Sequence, residues 1–232
     1  LHHPCAHPAP DNRLPATLTP GLSDQAVFFA GMPALCHTCP MSYRIFPAGQ
    51  YDTMPWKNGG GVTHEIFRFP EGGDTWLWRM SVAEVAADGP FSAFPGCMRS
   101  LTLLSGAGMR LDFPGRSMEL LPPYGSAVFS GEEALTAHLI DGPTTDFNAI
   151  WRTDSVSVTV ERRAMLGSLW CIPEPSVSWM VYFLSGHGVV KSDPDRPEFT
   201  AGDAIWLQPQ AGEPRLVLEA FGEALWIKMV AV

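Results

Sequence analysis

Leu104-Ser105-Gly106-Ala107-Gly108-Met109 is echoed later in the chain by Leu184-Ser185-Gly186-His187-Gly188-Val189. Downstream of each copy a glycine, Gly125 in the first and Gly202 in the second, precedes a short apolar run. We interpret each copy as a strand that ends in a Gly-x-Gly turn, a second strand that runs back, and a glycine turn that opens a third. Two copies of such a β-hairpin unit suggest two related β-barrels or sandwiches fused in one chain.

The composition favours an all-β protein built from short strands. The chain has 232 residues, of which 46% are hydrophobic and 17% are charged, so it can bury a sizeable core. Its 22 glycines and 22 prolines punctuate the sequence densely, which is typical of many short strands rather than long helices. No long amphipathic helix is evident, and we expect only short helical turns, between Pro70 and Trp76 or near residues 164–169.

The charge and hydropathy patterns exclude two classes of partner. A net charge of −9 argues against a nucleic-acid surface, which requires clustered lysines and arginines. No apolar stretch is long enough to span a bilayer. The run Ala26-Val27-Phe28-Phe29-Ala30 lacks the basic segment and the cleavage site of a secretory signal. We therefore expect a cytoplasmic protein that binds neither nucleic acid nor membrane.

Residues 1–40 differ in composition from the rest of the chain. They contain many prolines, four of the seven histidines and three of the five cysteines, and they show no periodic apolar pattern. We interpret them as a disordered N-terminal extension that precedes a main body beginning at Met41. The alternative is a zinc site in this segment. Its ligands would be the pair Cys36 and Cys39, together with Cys5, His7 or His37.

A glycine-rich stretch carries the first candidate binding residues. Pro55-Trp56-Lys57-Asn58-Gly59-Gly60-Gly61 precedes a β-favouring run that begins at Val62 and Thr63. Glycines let the backbone approach a ligand closely, and successive N–H groups in such a turn form an anion-binding concavity. The lysine precedes the glycines and no dinucleotide fingerprint is present, so this is not a nucleotide-binding loop. A plain connection between two strands, with Lys57 in solvent, is the alternative.

The stretch from residue 76 to residue 83 alternates in the manner of a strand. Such a strand places Trp78 and Met80 on one face and Arg79 and Ser81 on the other. Two bulky apolar side chains on one side fit a packed core. An arginine and a serine on the opposite side fit either solvent or a polar cavity.

Two later segments add polar candidates. Ser92, Phe94 and Arg99 lie within or just after a turn-rich loop of the kind that often carries function. Asp146 and Asn148 follow the turn at residues 141–143, and their side chains commonly hydrogen-bond their own backbone. Structural capping is therefore the favoured explanation of these two residues taken by themselves.

Several ordered motifs together resemble the HutD family, also called the Ves family. The matching stretches are residues 54–61, 78–85, 88–96, 99, 101–106, 141–143 and 146–148. The resemblance implies a cupin-like double β-barrel, or bicupin, over residues 41–232. The first barrel would occupy about residues 41–150 and the second about residues 151–232, with shared strands left open. His64 stands where members usually have arginine, and the paired arginines often seen after Asn148 are absent.

The resemblance implies a regulatory protein of histidine utilisation that senses an anionic pathway intermediate. Urocanate and formylated or formiminated glutamate are the candidates. An arginine grips a carboxylate with two parallel hydrogen bonds, and aromatic side chains exclude water from a pocket. We therefore expect a small anionic metabolite as the partner and no cofactor, and we leave open a homodimer. The expected ligand-binding residues are Trp56, Lys57, Asn58, Gly60, Thr63, Arg79, Ser81, Ser92, Phe94, Arg99 and Asn148.

The main body lacks the metal motif of many cupin barrels. It contains no His-x-His pair, and its only histidines are His64, His138 and His187. We predict no metal, with a site formed by all three histidines as the alternative. Cys97 and Cys171 lie far apart in the sequence, so we expect free thiols.

Two other functions remain open at the level of sequence. One is a metal-free cupin enzyme, an isomerase or hydrolase, in which Glu65 or Glu84 supplies a carboxylate for acid–base catalysis. Both glutamates have an ordinary explanation as exposed or salt-bridged side chains. The other function is a protein-interaction module that docks a partner through its acidic surface.

Overall fold

Antiparallel β-strands are nearly all of the regular secondary structure of the described residues in the computed structural model. The structure describes residues 43–72, 75–172, 174, 176–208 and 215–232. The proposed N-terminal extension and its zinc site lie outside these ranges. The strands are β1 (Tyr43–Phe46), β2 (Asp52–Pro55), β3 (Gly61–Phe69), β4 (Trp78–Val85), β5 (Gly89–Pro90), β6 (Cys97–Ser105), β7 (Met109–Phe113), β8 (Arg116–Leu120), β9 (Ser126–Ser130), β10 (Thr136–Leu139), β11 (Thr144–Arg152), β12 (Val156–Cys171), β13 (Val177–Val190), β14 (Glu198–Thr200), β15 (Ala204–Leu207) and β16 (Leu216–Ala231).

The helical content of the described residues is one 3-10 turn, Ala48–Gln50. The prediction of a helical turn near residues 164–169 is wrong, because these residues lie inside β12 and pair with β16. No helix in the described part of the chain is long and apolar enough to cross a bilayer. Cys97 and Cys171 are buried free thiols, as expected.

The strands form three sheets. The N-terminal sheet has the order β2-β3-β4-β11-β6-β9, and the small sheet has the order β5-β10-β7-β8. The C-terminal sheet has the order β1-β15-β13-β16-β12, with β14 beside β13. Strand β1 comes from the start of the described chain but pairs with β15, so the C-terminal sheet draws on both ends of the sequence.

The largest apolar cluster joins the N-terminal sheet to the C-terminal sheet. Trp78 and Met80 are wholly buried in it, which confirms the alternation read from the sequence. The ring centroid of Phe147 lies 5.0 Å from that of Tyr182, on the facing sheet. Burying an aromatic side chain of this size contributes about 1.5–3 kcal/mol to folding. One face of the N-terminal sheet is thus committed to the core.

The opposite face of the N-terminal sheet packs on the small sheet through a second apolar cluster. Leu101 and Leu103 of β6 meet Leu111 of β7 and Ala137 of β10 there, and all four are buried. These contacts cover only part of this face. The remaining part carries polar side chains and lines a cavity.

The glycine repeat has different roles in its two copies. In the first, β6 ends at Ser105 and β7 begins at Met109, so the predicted turn is confirmed. In the second, β13 runs without interruption through Gly186, with a shift of register just before it, so the predicted turn is wrong. A Cβ on Gly186 would lie 1.8 Å from the carbonyl oxygen of Phe221. This glycine permits close approach of two strands rather than a reversal of the chain.

Candidate functional site

A cavity of about 510 Å³ opens on the polar face of the N-terminal sheet. Ten of the eleven residues expected from the sequence line it. They are Trp56, Lys57, Asn58, Thr63, Arg79, Ser81, Ser92, Phe94, Arg99 and Asn148. Side chains that are far apart in the sequence thus share one hollow. That they bind a ligand stays a prediction.

The register of three neighbouring strands explains why these side chains meet. Ile150 on β11 lies opposite Arg79 on β4 and opposite Arg99 on β6. Two residues earlier on β11, Asn148 lies opposite Ser81 on β4. Because side chains directly opposite each other in a sheet point to the same face, all five residues face the cavity.

The glycine-rich stretch forms the hairpin between β2 and β3. The N–H of Trp56 donates to the carbonyl of Gly61 at 2.9 Å, and Gly59 has a φ of +71°, which favours glycine. The N–H of Gly60 donates to Oδ1 of Asn58 at 3.0 Å. This N–H is therefore used inside the turn, and Gly60 is the expected residue that the structure does not bring to the cavity. Lys57 is exposed at the cavity rim. The hairpin is therefore a plain connection between two strands, as the alternative interpretation has it, and also part of the cavity lining.

Aromatic side chains form one wall of the cavity. The indole Nε1 of Trp56 donates a hydrogen bond to Oγ1 of Thr63 at 2.8 Å, which fixes the orientation of the indole ring. The ring of Phe91 lies edge-on to Trp56, with 6.0 Å between centroids. These contacts hold an apolar surface beside the polar face of the sheet.

Two glutamates considered for catalysis lie outside the cavity lining and are held in ion pairs. Glu65 is buried and pairs with Arg79 and, at 2.9 Å, with Arg68. Glu84 is exposed, and its carboxylate lies 3.1 Å from Nε2 of His64. Neither carboxylate lines the cavity. Their salt-bridged interpretation is confirmed.

Arg99 is the most deeply buried cation of the cavity. Its guanidinium carbon lies 5.2, 5.5 and 5.4 Å from the ring centroids of Phe91, Phe94 and Phe129. One Nη donates to the carbonyl of Ser92 at 3.4 Å, whereas the buried Nε has no hydrogen-bond partner. Burial lowers the pKa of Arg99 to about 10. The side chain is therefore a positive charge at neutral pH with unused hydrogen-bonding capacity.

Asp146 also lines the cavity, although the sequence predicts a capping role for it. Its side chain is wholly buried on β11, and neither carboxyl oxygen has a hydrogen-bond partner. The prediction that Asp146 and Asn148 cap their own backbone is wrong, because both lie inside a strand that is paired on each side. Burial raises the pKa of Asp146 to about 7, and the positive charge of Arg99 opposes that rise. The alternation Asp146, Asn148, Ile150 is the sequence signal that identifies a shared strand face.

The histidines of the described chain do not come together. His64 lies on the N-terminal sheet, His138 on the small sheet and His187 on the C-terminal sheet. Nδ1 of His138 lies 2.9 Å from a carboxylate oxygen of Asp88, so one of the two ring nitrogens is already occupied. Within the described ranges, no group of three or more His, Cys, Asp or Glu side chains could hold a metal ion. The alternative of a three-histidine site is therefore wrong.

Comparison with known proteins places the chain in a family. The HutD family model matches residues 48–226. An uncharacterized 21.2 kDa protein in the hutC 3' region of Pseudomonas putida is 43% identical over 109 residues, which are 47% of this chain. The match covers 57% of that relative's length.

Solved structures share the fold. HutD from Pseudomonas fluorescens SBW25, in a formate condition, has a TM-score of 0.70 and 27% identity, over 82% of this chain and 100% of the other. A conserved protein of unknown function from Pseudomonas aeruginosa PAO1 has a TM-score of 0.69 and 30% identity, over 82% and 98% of the two chains. Ylba from Escherichia coli, at 10% identity and a TM-score of 0.63 over 82% and 90%, is alike in fold alone.

The nearly all-β architecture, the ordered motifs of the first half and the family-model match agree with one another. The match extends over most of the described residues and includes every strand that lines the cavity. The chain belongs to the HutD family.

Proposed function

We propose that this HutD-family chain is a small-molecule-binding regulatory protein of histidine utilisation. Its cavity binds an anionic intermediate of that pathway, with urocanate, formylglutamate and formiminoglutamate as the candidates. The observation that carries the proposal is Arg99, a buried cation with an unbonded Nε that faces the same hollow as Arg79 and Lys57. A buried cation with unused donors is costly to leave unpaired, so an anionic ligand is favoured there.

The arrangement of the remaining side chains supports a ligand with a second polar group. Asn58, Asn148 and Ser81 supply amides and a hydroxyl that suit a formyl, imino or imidazole group. The rings of Trp56 and Phe91 form an apolar wall that strengthens these contacts by excluding water. A volume of about 510 Å³ is within the range of small-molecule sites.

The link to histidine utilisation is supported by the family and by one relative. The Pseudomonas putida protein is described by its position in the hutC 3' region. We extend that association to this chain together with the regulatory role. We also propose that the three sheets form two cupin barrels, the first over about residues 41–150 and the second over about residues 151–232. The pairing of β1 with β15 supports a strand exchanged between them.

A ligand screen tests this function. Urocanate, formylglutamate and formiminoglutamate would be titrated separately while the unfolding temperature is followed. A ligand at a hundredfold excess over its Kd adds about 2.7 kcal/mol to the unfolding free energy. We expect at least one of the three to stabilise the protein, and we expect Lys57→Ala to weaken its binding. Absence of any stabilisation by all three would overturn the proposed ligand class.

A matched control separates cavity contacts from general charge effects. Arg110 is an exposed cation on the small sheet, paired with Asp112 at 2.9 Å and outside the cavity lining. Arg110→Ala removes one positive charge, as Lys57→Ala does. Because Arg110 lies outside the cavity lining, this variant should leave ligand affinity unchanged. Equal losses of affinity in the two variants would contradict binding in this cavity.

Turnover is less well supported than binding. The carboxylates that the sequence offered for acid–base work, Glu65 and Glu84, lie outside the cavity lining and are held in ion pairs. Each candidate ligand would be incubated with a stoichiometric amount of concentrated protein and recovered. We expect it unchanged, whereas a product that forms only with intact protein would favour the enzyme alternative.

A further inference from the structure

Asp146 is buried in surroundings that give its carboxyl group no hydrogen-bond donor. Its neighbours across the ladder are Ala83 on β4 and Leu103 on β6, and neither side chain carries a polar group. Both carboxyl oxygens lack a hydrogen-bond partner, and the residue has no exposed surface. A carboxylate in such a place is stabilised only by nearby positive charge, because it has lost its hydration.

Arg99 is the cation that stabilises the ionised form of Asp146. It acts on Asp146 through charge from the adjacent strand β6. On β4, Arg79 is already paired with Glu65 of β3. Lys57 of the β2–β3 hairpin lies at the exposed rim of the cavity. The elements that close the cavity from the other side contribute Pro90, Phe91, Ser92 and Phe94, which carry no charge.

Arg99 and Asp146 both line the cavity, but they differ in exposure. Arg99 keeps 4% of its surface exposed, whereas Asp146 keeps 0%. We expect a ligand carboxylate in the cavity to pair with the guanidinium of Arg99, because Asp146 has no exposed surface and carries like charge when it is ionised. The two carboxyl groups then share one cation, and the negative charge of the ligand disfavours the ionised form of Asp146.

We propose that a carboxylate ligand enters this cavity together with one proton, which Asp146 takes up. The proton comes from solvent and binds a carboxyl oxygen of Asp146, and no bond of the ligand is made or broken. Asp146 is thus a residue that selects the charge of the bound state without touching the ligand. The inference rests on the proposed function, because it needs an anionic ligand at Arg99.

The sign of the pH effect follows from like-charge repulsion. Burial already raises the pKa of Asp146 to about 7 in the free protein, and a bound carboxylate moves it further upward. Above neutral pH the complex therefore holds more protons than the free protein. Affinity should be constant below about pH 7 and fall as pH rises above it, by at most about tenfold per pH unit for one proton.

Calorimetry measures the proton directly. N-Formylglutamate is the probe, since it has no group that titrates between about pH 6 and pH 8.5. Titrations at about pH 7.5 in buffers of different ionisation enthalpy give the number of protons bound with the ligand. We expect the wild-type protein to take up a substantial fraction of one proton and Asp146→Asn to take up none. The affinity of Asp146→Asn for N-formylglutamate should also stay the same between about pH 6 and pH 8.5.

An aspartate outside the cavity supplies the matched control. Asp88 is exposed and accepts hydrogen bonds from His138 and from the backbone N–H of Leu139. Asp88→Asn makes the same chemical change as Asp146→Asn but should leave proton uptake as in the wild type. Loss of uptake in both variants would overturn the assignment to Asp146.

Infrared difference spectroscopy tests the same proton uptake in the wild-type protein and does not require Asp146→Asn to fold. When ligand is added, the infrared difference spectrum should gain the C=O band of a protonated carboxylic acid. Ligand binding without that band, or without proton uptake, would overturn the proposal. Such binding would leave the proposed function standing. Failure of the protein to bind any of the candidate acids would instead overturn the proposed function, and this inference with it.

Discussion

Glu65 on β3 and Arg79 on β4 form an ion pair at the edge of the cavity, with the Nε of Arg79 donating to the buried carboxylate. Glu65 also pairs with Arg68, at 2.9 Å. The pair holds the guanidinium of Arg79 against the polar face of the sheet. It also removes Glu65 from the set of free acid–base groups.

Glu65→Gln should lower the stability of the protein. The substitution leaves two arginines without their carboxylate, and loss of a charged hydrogen-bond partner at a buried site costs about 1–3 kcal/mol of unfolding free energy. Urea denaturation measures the loss. Glu84→Gln is the control, because Glu84 is 62% exposed beside His64 and an exposed pair contributes at most about 1 kcal/mol. Equal losses of unfolding free energy in the two variants would contradict a larger contribution of the buried Glu65–Arg79 pair.

Arg99→Lys should weaken ligand binding while the fold is retained. Lysine keeps the positive charge but lacks the planar guanidinium that lies against three aromatic rings and grips a carboxylate with two hydrogen bonds. We expect at least a roughly tenfold loss of affinity for the ligand found in the screen, since one charged hydrogen bond alone is worth more than that. Calorimetry measures it, and Arg110→Lys on the small sheet should bind as the wild type does.

Asp146→Asn should remove a pH dependence of folding. Burial raises the pKa of Asp146 to about 7, well above that of an exposed aspartate. At a pH between these two pKa values, the folded protein binds one proton on Asp146 that the unfolded chain has released. Stability contributed by this group is therefore full at low pH and is lost as pH rises toward 7, by roughly 3–4 kcal/mol. The difference in unfolding free energy between Asp146→Asn and wild type should grow in favour of the variant from about pH 4 to pH 7. A constant difference would contradict the raised pKa.

Gly186→Ala should be far more damaging than Gly142→Ala. Both glycines have positive φ values, +87° and +78°, where an alanine costs about 1–2 kcal/mol. At Gly142 nothing lies within 4 Å of the added Cβ, whereas at Gly186 it would meet the carbonyl oxygen of Phe221 at 1.8 Å. We expect Gly186→Ala to lose more than about 3 kcal/mol of unfolding free energy or to misfold. Similar denaturation midpoints for the two variants would contradict the close approach of β13 and β16.

That these side chains line one cavity could be predicted in large part, because each motif holds its polar residues at strand spacing. Arg79 and Ser81 are two residues apart, so they share the face opposite Trp78 and Met80. That spacing does not state which other strand lies alongside. The sequence predicts backbone capping for Asp146, because an aspartate after a turn commonly caps, whereas its burial depends on β4 and β6 lying on both sides of β11.

The glycine repeat shows the limit of reading local sequence. The same Leu-Ser-Gly-x-Gly pattern ends a strand at Gly106 and continues one at Gly186. A tight turn and a close contact between two strands both favour a residue without a side chain. A glycine in the sequence therefore does not distinguish between them.

Three properties can be read from the amino-acid sequence alone: the all-β character of the described residues, the strand faces that are apolar, and the accumulation of cations and amides in the first half. These properties follow from local alternation and composition, which act over a few residues. Which strands are neighbours depends on the tertiary structure, which brings Arg99 and Asp146 to one hollow and buries Asp146 completely. Pairing between distant strands depends on the packing of whole sheets, which no single segment encodes.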